Sequence, residues 1–158
     1  MHARKATSEK PHHVLLQHLM LQQINPLQLS AVWYQIKEGV EEILDSLNYS
    51  SLQELWIPED VYTSIRVGES ILLLSDDGFV IVQIKNDRFT GQKQFFVWLA
   101  HTFDPSRNIM EETQPYLENL ARQWDCQMMQ FSSNRPGFRK KALEMGYSNG
   151  PTIYSKRV

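Results

Sequence analysis

The run around Arg135 holds the residue types needed to grip an anion. Arg135 offers a planar fork of donors that fits a phosphate or carboxylate in bidentate fashion, and Asn134 with the backbone N–H of Gly137 would complete a small nest. The same run also has a structural reading. Pro136 fixes a helix start, Gly137 permits close packing, and Phe138, Ala142 and Met145 set an apolar stripe. Arg139, Lys140 and Lys141 then fall on the side left for water or a partner. Other reactive side chains stand more alone. Cys126 has no histidine near it in sequence and precedes a predicted strand, so it reads as a packed thiol rather than a nucleophile. His12, His13 and His18 have no thiol beside them and adjoin the mainly apolar residues 14–21, so no metal site is expected there.

Charge along the chain is polarised. Residues 38–77 hold ten acids against Arg66, whereas residues 135–158 hold six bases against Glu144. Two solvated surfaces would account for this, and so would a docking surface with opposed ends. The basic stretch is short, lacks interleaved aromatics and competes with the acidic segment, so nucleic acid is not an expected partner. The net charge of −2 points the same way.

The elements that must carry these residues follow from punctuation and period. A chain of 158 residues with 42% hydrophobic and 22% charged residues is expected to form one domain with a real core. We expect a polar, aperiodic arm over residues 1–12 and a single domain over residues 13–158. One cysteine excludes an internal disulfide and fits a reducing compartment. No apolar run approaches the roughly 20 residues of a membrane span, and the start lacks the apolar centre of a secretion signal, so a soluble intracellular-type protein is expected.

Residues 19–24 form either a first strand or a helix end. Asn25-Pro26 is an N-cap followed by a tolerated first-turn proline, and Trp33, Ile36, Val40, Ile43, Leu44 and Leu47 give one apolar helical stripe. Pro58, Glu59 and Asp60 start a second helix that Gly68 stops. Strands are expected over residues 70–74 and 79–84, joined by a tight Asp77-Gly78 hairpin, and over residues 94–102 as the central strand. A helix over residues 109–124 carries Pro115 in its first turn or at a kink. A strand over 127–131, a helix opened by Pro136 and a last strand over 152–156 close the order. This is an α/β sandwich on a mixed sheet.

That order, the run Ser-Ser-Asn-Arg-Pro-Gly-Phe-Arg-Lys-Lys-Ala-Leu-Glu-Met-Gly-Tyr over residues 132–147, and the run over residues 58–78 are similar to the GCN5-related N-acetyltransferase fold, in particular to acetyltransferase-like proteins of tailed bacteriophages. The resemblance covers roughly residues 19–158. It implies a mixed, mostly antiparallel central sheet flanked by helices. In enzymes of that fold a substrate amine attacks the thioester of acetyl-CoA, whose diphosphate rests on bare N–H groups in a glycine-rich helix start.

The matching segment here, residues 103–113, has no glycine and puts Glu111 and Glu112 in the first helical turn. Asp104, Ser106, Arg107 and Asn108 form what would be a degenerate coenzyme loop. The tyrosine that many relatives place four residues before the Gly-aromatic pair is Ala142, leaving Tyr116, Tyr147 and Tyr154 as unaimed proton donors. Glu59, Asp60 and Glu69 are unspecific bases, and His101 is the best single candidate for the catalytic base. The resemblance thus implies a protein with no cofactor that acts by contact with a phage structural or assembly protein, alone or within an oligomer. Its setting would be the host cytoplasm during infection, or the virion. The alternative is an active acetyl-CoA-dependent N-acetyltransferase of a peptide or small amine.

Overall fold

The computed structural model describes residues 21–47, 56–133, 137–151 and 154–158. The expected arm over residues 1–12 and Asn134, Arg135 and Pro136 of the expected anion grip lie outside these residues.

The described chain enters as a short strand β1 (Gln22–Gln23). Asn25 then acts as the expected cap, its side chain accepting from Leu27 N at 3.0 Å, and Pro26 opens a 3-10 turn. Helix α1 (Leu29–Leu47) follows, burying Leu29, Ile36, Gly39 and Val40 along one face. Helix α2 (Pro58–Arg66) starts where predicted, with the Asp60 carboxylate accepting from Ile57 N at 2.8 Å. It ends before Gly68, whose φ of +84° suits a residue without Cβ.

Strands β2 (Ile71–Ser75), β3 (Gly78–Asn86) and β4 (Lys93–Thr102) make an antiparallel meander. The hairpin between β2 and β3 is tighter than its Asp-Gly signature implied. Ser75 pairs with Gly78, so Asp76 and Asp77 form the loop and Gly78 is already strand. Glycine is required there for close approach: a Cβ at Gly78 would collide with the His101 carbonyl oxygen. The expected helix over residues 109–124 is two helices, α3 (Ile109–Glu112) and α4 (Gln114–Gln123), with Pro115 in the first turn of the second. A proline lacks the N–H an unbroken helix would use, so the chain restarts there. Strand β5 (Met128–Phe131) pairs parallel to β4, as a helical crossover requires. Helix α5 (Phe138–Glu144) buries no residue fully.

The five strands lie in chain order, β1-β2-β3-β4-β5, so the middle strand is β3 rather than the expected β4. The expected last strand is not seen among the described residues: 154–158 carry no strand and Tyr154 is 91% exposed, while residues 152 and 153 lie outside the description. Period-two alternation splits the core. Leu72, Phe79, Ile81 and Leu99 face α1 and α2, where Ile36, Val40, Val61 and Ile65 meet them. Val80, Val82, Phe95 and Val97 face Ile109, Leu117 and Ala121 of α3 and α4. Each buried Val, Leu, Ile or Phe among these supplies about 1.5–3 kcal/mol of transfer free energy.

Candidate functional site

The sheet forks at β4. Its ladder with β5 runs from Gln94↔Met128 to Val97↔Phe131 and stops, whereas β4 continues to Thr102. Beyond Val97 that edge of β4 has no strand partner among the described residues. At the fork the register against β3 slips. Ile81 faces Leu99 while Val82 faces Val97, leaving Trp98 as an extra residue. Such a bulge re-aims side chains, and here Trp98 and Leu99, neighbours in sequence, both turn toward α1 and α2. Trp98 meets Trp56 edge-on at 5.6 Å.

His101 sits on the α1 side of this free stretch. Its ring lies 5.6 Å from Phe79 and 5.9 Å from Phe103, and its Nε2 is 3.5 Å from Glu42 Oε2. Helix α1 comes this close because residue 39 is glycine: a Cβ there would stand 2.6 Å from His101 Cδ2 and 2.7 Å from Phe79 Cε2. The sequence singled out His101 but not Glu42, whose only prior sign was its place on the acidic face of the same helix. The other expected bases are not gathered here. Asp60 is engaged in capping α2, and Glu59 and Glu69 are exposed.

The loop after β4 is closed on itself. Asp104 Oδ1 accepts from Ser106 N at 2.9 Å and from Ser106 Oγ at 2.8 Å, and these bonds, the backbone donor first, hold its carboxyl below the usual carboxylate value. Arg107 N donates to Asp104 O at 3.0 Å, Ile109 N to Thr102 Oγ1 at 2.9 Å, and Glu111 N to Asn108 Oδ1 at 3.2 Å. Arg107 has its fork filled by the chain's own acids. Nε and Nη2 hold Glu112 at 3.2 and 2.8 Å, and Nη1 holds Asp77 Oδ1 of the β2–β3 turn at 2.6 Å. The Glu112 hydrogen bonds raise the guanidinium's pKa further above its ordinary value. Glu111 pairs with Lys141 of α5 at 3.6 Å. Glu111 and Glu112, the two acids of the first helical turn, are therefore each paired with a cation. What closes the loop is that the amides of Ser106, Arg107, Ile109 and Glu111 already have acceptors.

Between this loop and α5 lies a cleft of about 310 Å³ lined by Asn108, Gly137, Phe138 and Lys141. It brings together members of the two residue sets that the sequence kept apart. The ring of Phe131, where the β4–β5 ladder ends, carries Phe138 at 5.4 Å and Tyr147 at 4.8 Å, both edge-on. Tyr147 OH donates to Gln114 Oε1 at 2.9 Å, and burial raises its pKa. Gln114 is itself buried, and its Nε2 has no partner among the described residues. Arg139 and Lys140 are exposed on α5 and do not line the cleft. Burial raises the pKa of the half-buried Cys126 thiol, in line with a packed thiol rather than a nucleophile.

Among the described residues no group of three or more histidine, cysteine or acidic side chains is arranged to hold a metal, and no helix is long and apolar enough to cross a membrane.

The donor set does not fit coenzyme A. A diphosphate needs several unengaged N–H groups at a helix start, and here the amides of Ser106, Arg107, Ile109 and Glu111 are engaged while each nitrogen of the Arg107 guanidinium already holds a carboxylate oxygen.

Neither protein-family models nor curated proteins give a match to this sequence. Solved structures do. The chain is similar to a probable acetyltransferase at 14% identity and a TM-score of 0.63, covering 87% of this chain and 97% of that one. It is similar to a ribosomal-protein-alanine N-acetyltransferase from Brucella melitensis biovar Abortus 2308 at 12% identity and a TM-score of 0.61, covering 87% and 99%. An aminoglycoside acetyltransferase from an uncultured soil metagenomic sample, solved with sisomicin, matches at 7% identity and a TM-score of 0.63, covering 87% and 94%. Identities this low speak to architecture, and the architecture is that of the GCN5-related acetyltransferases: a mixed, mostly antiparallel sheet flanked by helices.

Proposed function

We propose that this chain uses the acetyltransferase fold for protein contact rather than for coenzyme A turnover, in the assembly of a phage virion or head-tail structure. One observation supports the loss of turnover: the loop that would cradle a diphosphate spends four of its amides on Asp104, Thr102 and Asn108, and its one cation on Asp77 and Glu112. The assembly setting rests on the resemblance of residues 132–147 to phage acetyltransferase-like proteins. Opposed acidic and basic segments suit docking.

A second reading is an N-acetyltransferase of a peptide or small amine. The free edge of β4 beyond its bulge and the His101–Glu42 contact favour it, since bulges recur beside active sites and a histidine near a carboxylate can accept a proton. Titration calorimetry with acetyl-CoA separates the two. No heat at millimolar coenzyme is the expected outcome, and micromolar affinity overturns the contact reading.

A further inference from the structure

The two charged helices lie on opposite faces of the sheet. Helix α1 packs on the Phe79 and Ile81 face, and its outward stripe is Tyr34, Glu38, Glu41 and Asp45 at helical spacing. Tyr34 is 75% exposed, Glu38 and Asp45 have no ion-pair partner among the described residues, and Glu41 meets Lys37 of the same helix only loosely, at 3.9 Å. Helix α5 lies on the other face, where Phe138 joins the cluster around Val80 and Phe95. Its exposed stripe is Arg139, Lys140 and Leu143, the leucine 50% exposed. Among the described residues Arg139 has the neutral amide of Asn149 within reach, at 3.2 Å once the amide oxygen is turned toward it, and no carboxylate within ion-pair distance. An aromatic ring leading three acids on one side thus matches two cations leading a leucine on the other. With the sheet between them, the stripes of one chain cannot neutralise each other.

We propose that a second copy of this chain docks its α5 stripe, Arg139, Lys140 and Leu143, onto the α1 stripe of the first, Tyr34, Glu38, Glu41 and Asp45. This rests on the contact reading and names its partner. Because the two patches differ, the contact is heterologous, so each added copy presents a fresh face and growth continues until a ring closes. The pairs are exposed, so attraction is weak per pair and strongly screened by salt.

Multi-angle light scattering over a concentration series tests this on the full chain. In about 0.01 M salt the average mass should climb past that of a dimer, and in about 1 M salt it should return to that of one chain. Arg139→Glu with Lys140→Glu should weaken association about ten-fold, and Glu38→Lys with Glu41→Lys should do the same. Both pairs of reversals in one chain should restore association, because the complementarity is inverted but intact. Should the fourfold variant fail to fold, mixing the two double variants gives the same restoration.

A wild type that stays monomeric at low salt overturns the proposal, as does association indifferent to salt or to the reversals. Folded reversed chains that do not recover association overturn it too. A monomer that also ignores acetyl-CoA removes only this proposal, whereas acetyl-CoA binding removes the contact reading beneath it.

Discussion

Helices α1 and α5 are attached to the same sheet by opposite means. Helix α1 runs for 19 residues and buries Leu29, Ile36 and Val40 completely, and it is drawn onto β3 and β4 by a glycine at the crossing point. Helix α5 has seven residues, none buried, and is held through Phe138, the Lys141–Glu111 pair and the Tyr147 hydroxyl beyond its end. The difference shows that α1 is held by burial of its own core side chains, whereas α5 is held by one ring contact, one ion pair and one hydrogen bond.

The comparison breaks most visibly at Phe79, which is fully buried and touches the rings of both His101 and Phe103. Phe79→Ala should cost about 4 kcal/mol, read as a lower urea midpoint with an unchanged slope. A loss below about 1 kcal/mol would mean that the α1 side is not where the fold is held. Gly39→Ala comes next. Alanine favours the helix by about 1 kcal/mol, but its Cβ must displace His101 and Phe79, so a net loss of about 1–2 kcal/mol is expected in the same assay.

The α5 side should respond less. Tyr147→Phe removes one half-buried hydrogen bond to Gln114, for about 1 kcal/mol near neutral pH. The pH dependence has a definite sign. Burial raises the folded tyrosine's pKa above its ordinary value of 10.0, so its contribution is whole below that value and fades as pH climbs through the folded pKa. The gap between wild type and variant should therefore stay constant to about pH 10 and close above it. A gap that widened in alkali would contradict the burial of that hydroxyl.

Much of the frame was legible because its signals are local. The Asn25-Pro26 cap, the α1 stripe, the Pro58–Asp60 start and the β2–β3 hairpin each declare themselves within a few residues. What escaped were consequences of distant packing. Gly78 looked like turn chemistry and is instead a close approach to a carbonyl 23 residues further on. Pro115 restarts a helix because Thr113 ends the one before it, a break that the apolar period hides. At the candidate site the lack of glycine in the loop was visible. The partnership of Arg107 with Asp77, thirty residues away, was not, because no period links a hairpin tip to a crossover loop. His101 drew notice by its position on an apolar strand, whereas its contact with Glu42 depends on how close Gly39 lets a helix come.

The four-residue parallel ladder between β4 and β5 also has a bearing on how the chain acquires its shape. The β2–β3–β4 meander closes through short loops and can zip in microseconds, whereas Met128 reaches Gln94 only after two intervening helices have formed and swung across. On an emerging nascent polypeptide the meander would therefore be complete while β5 was still being synthesised, and the closing of the fork's second arm, with α5 docking on Phe131 after it, would come late.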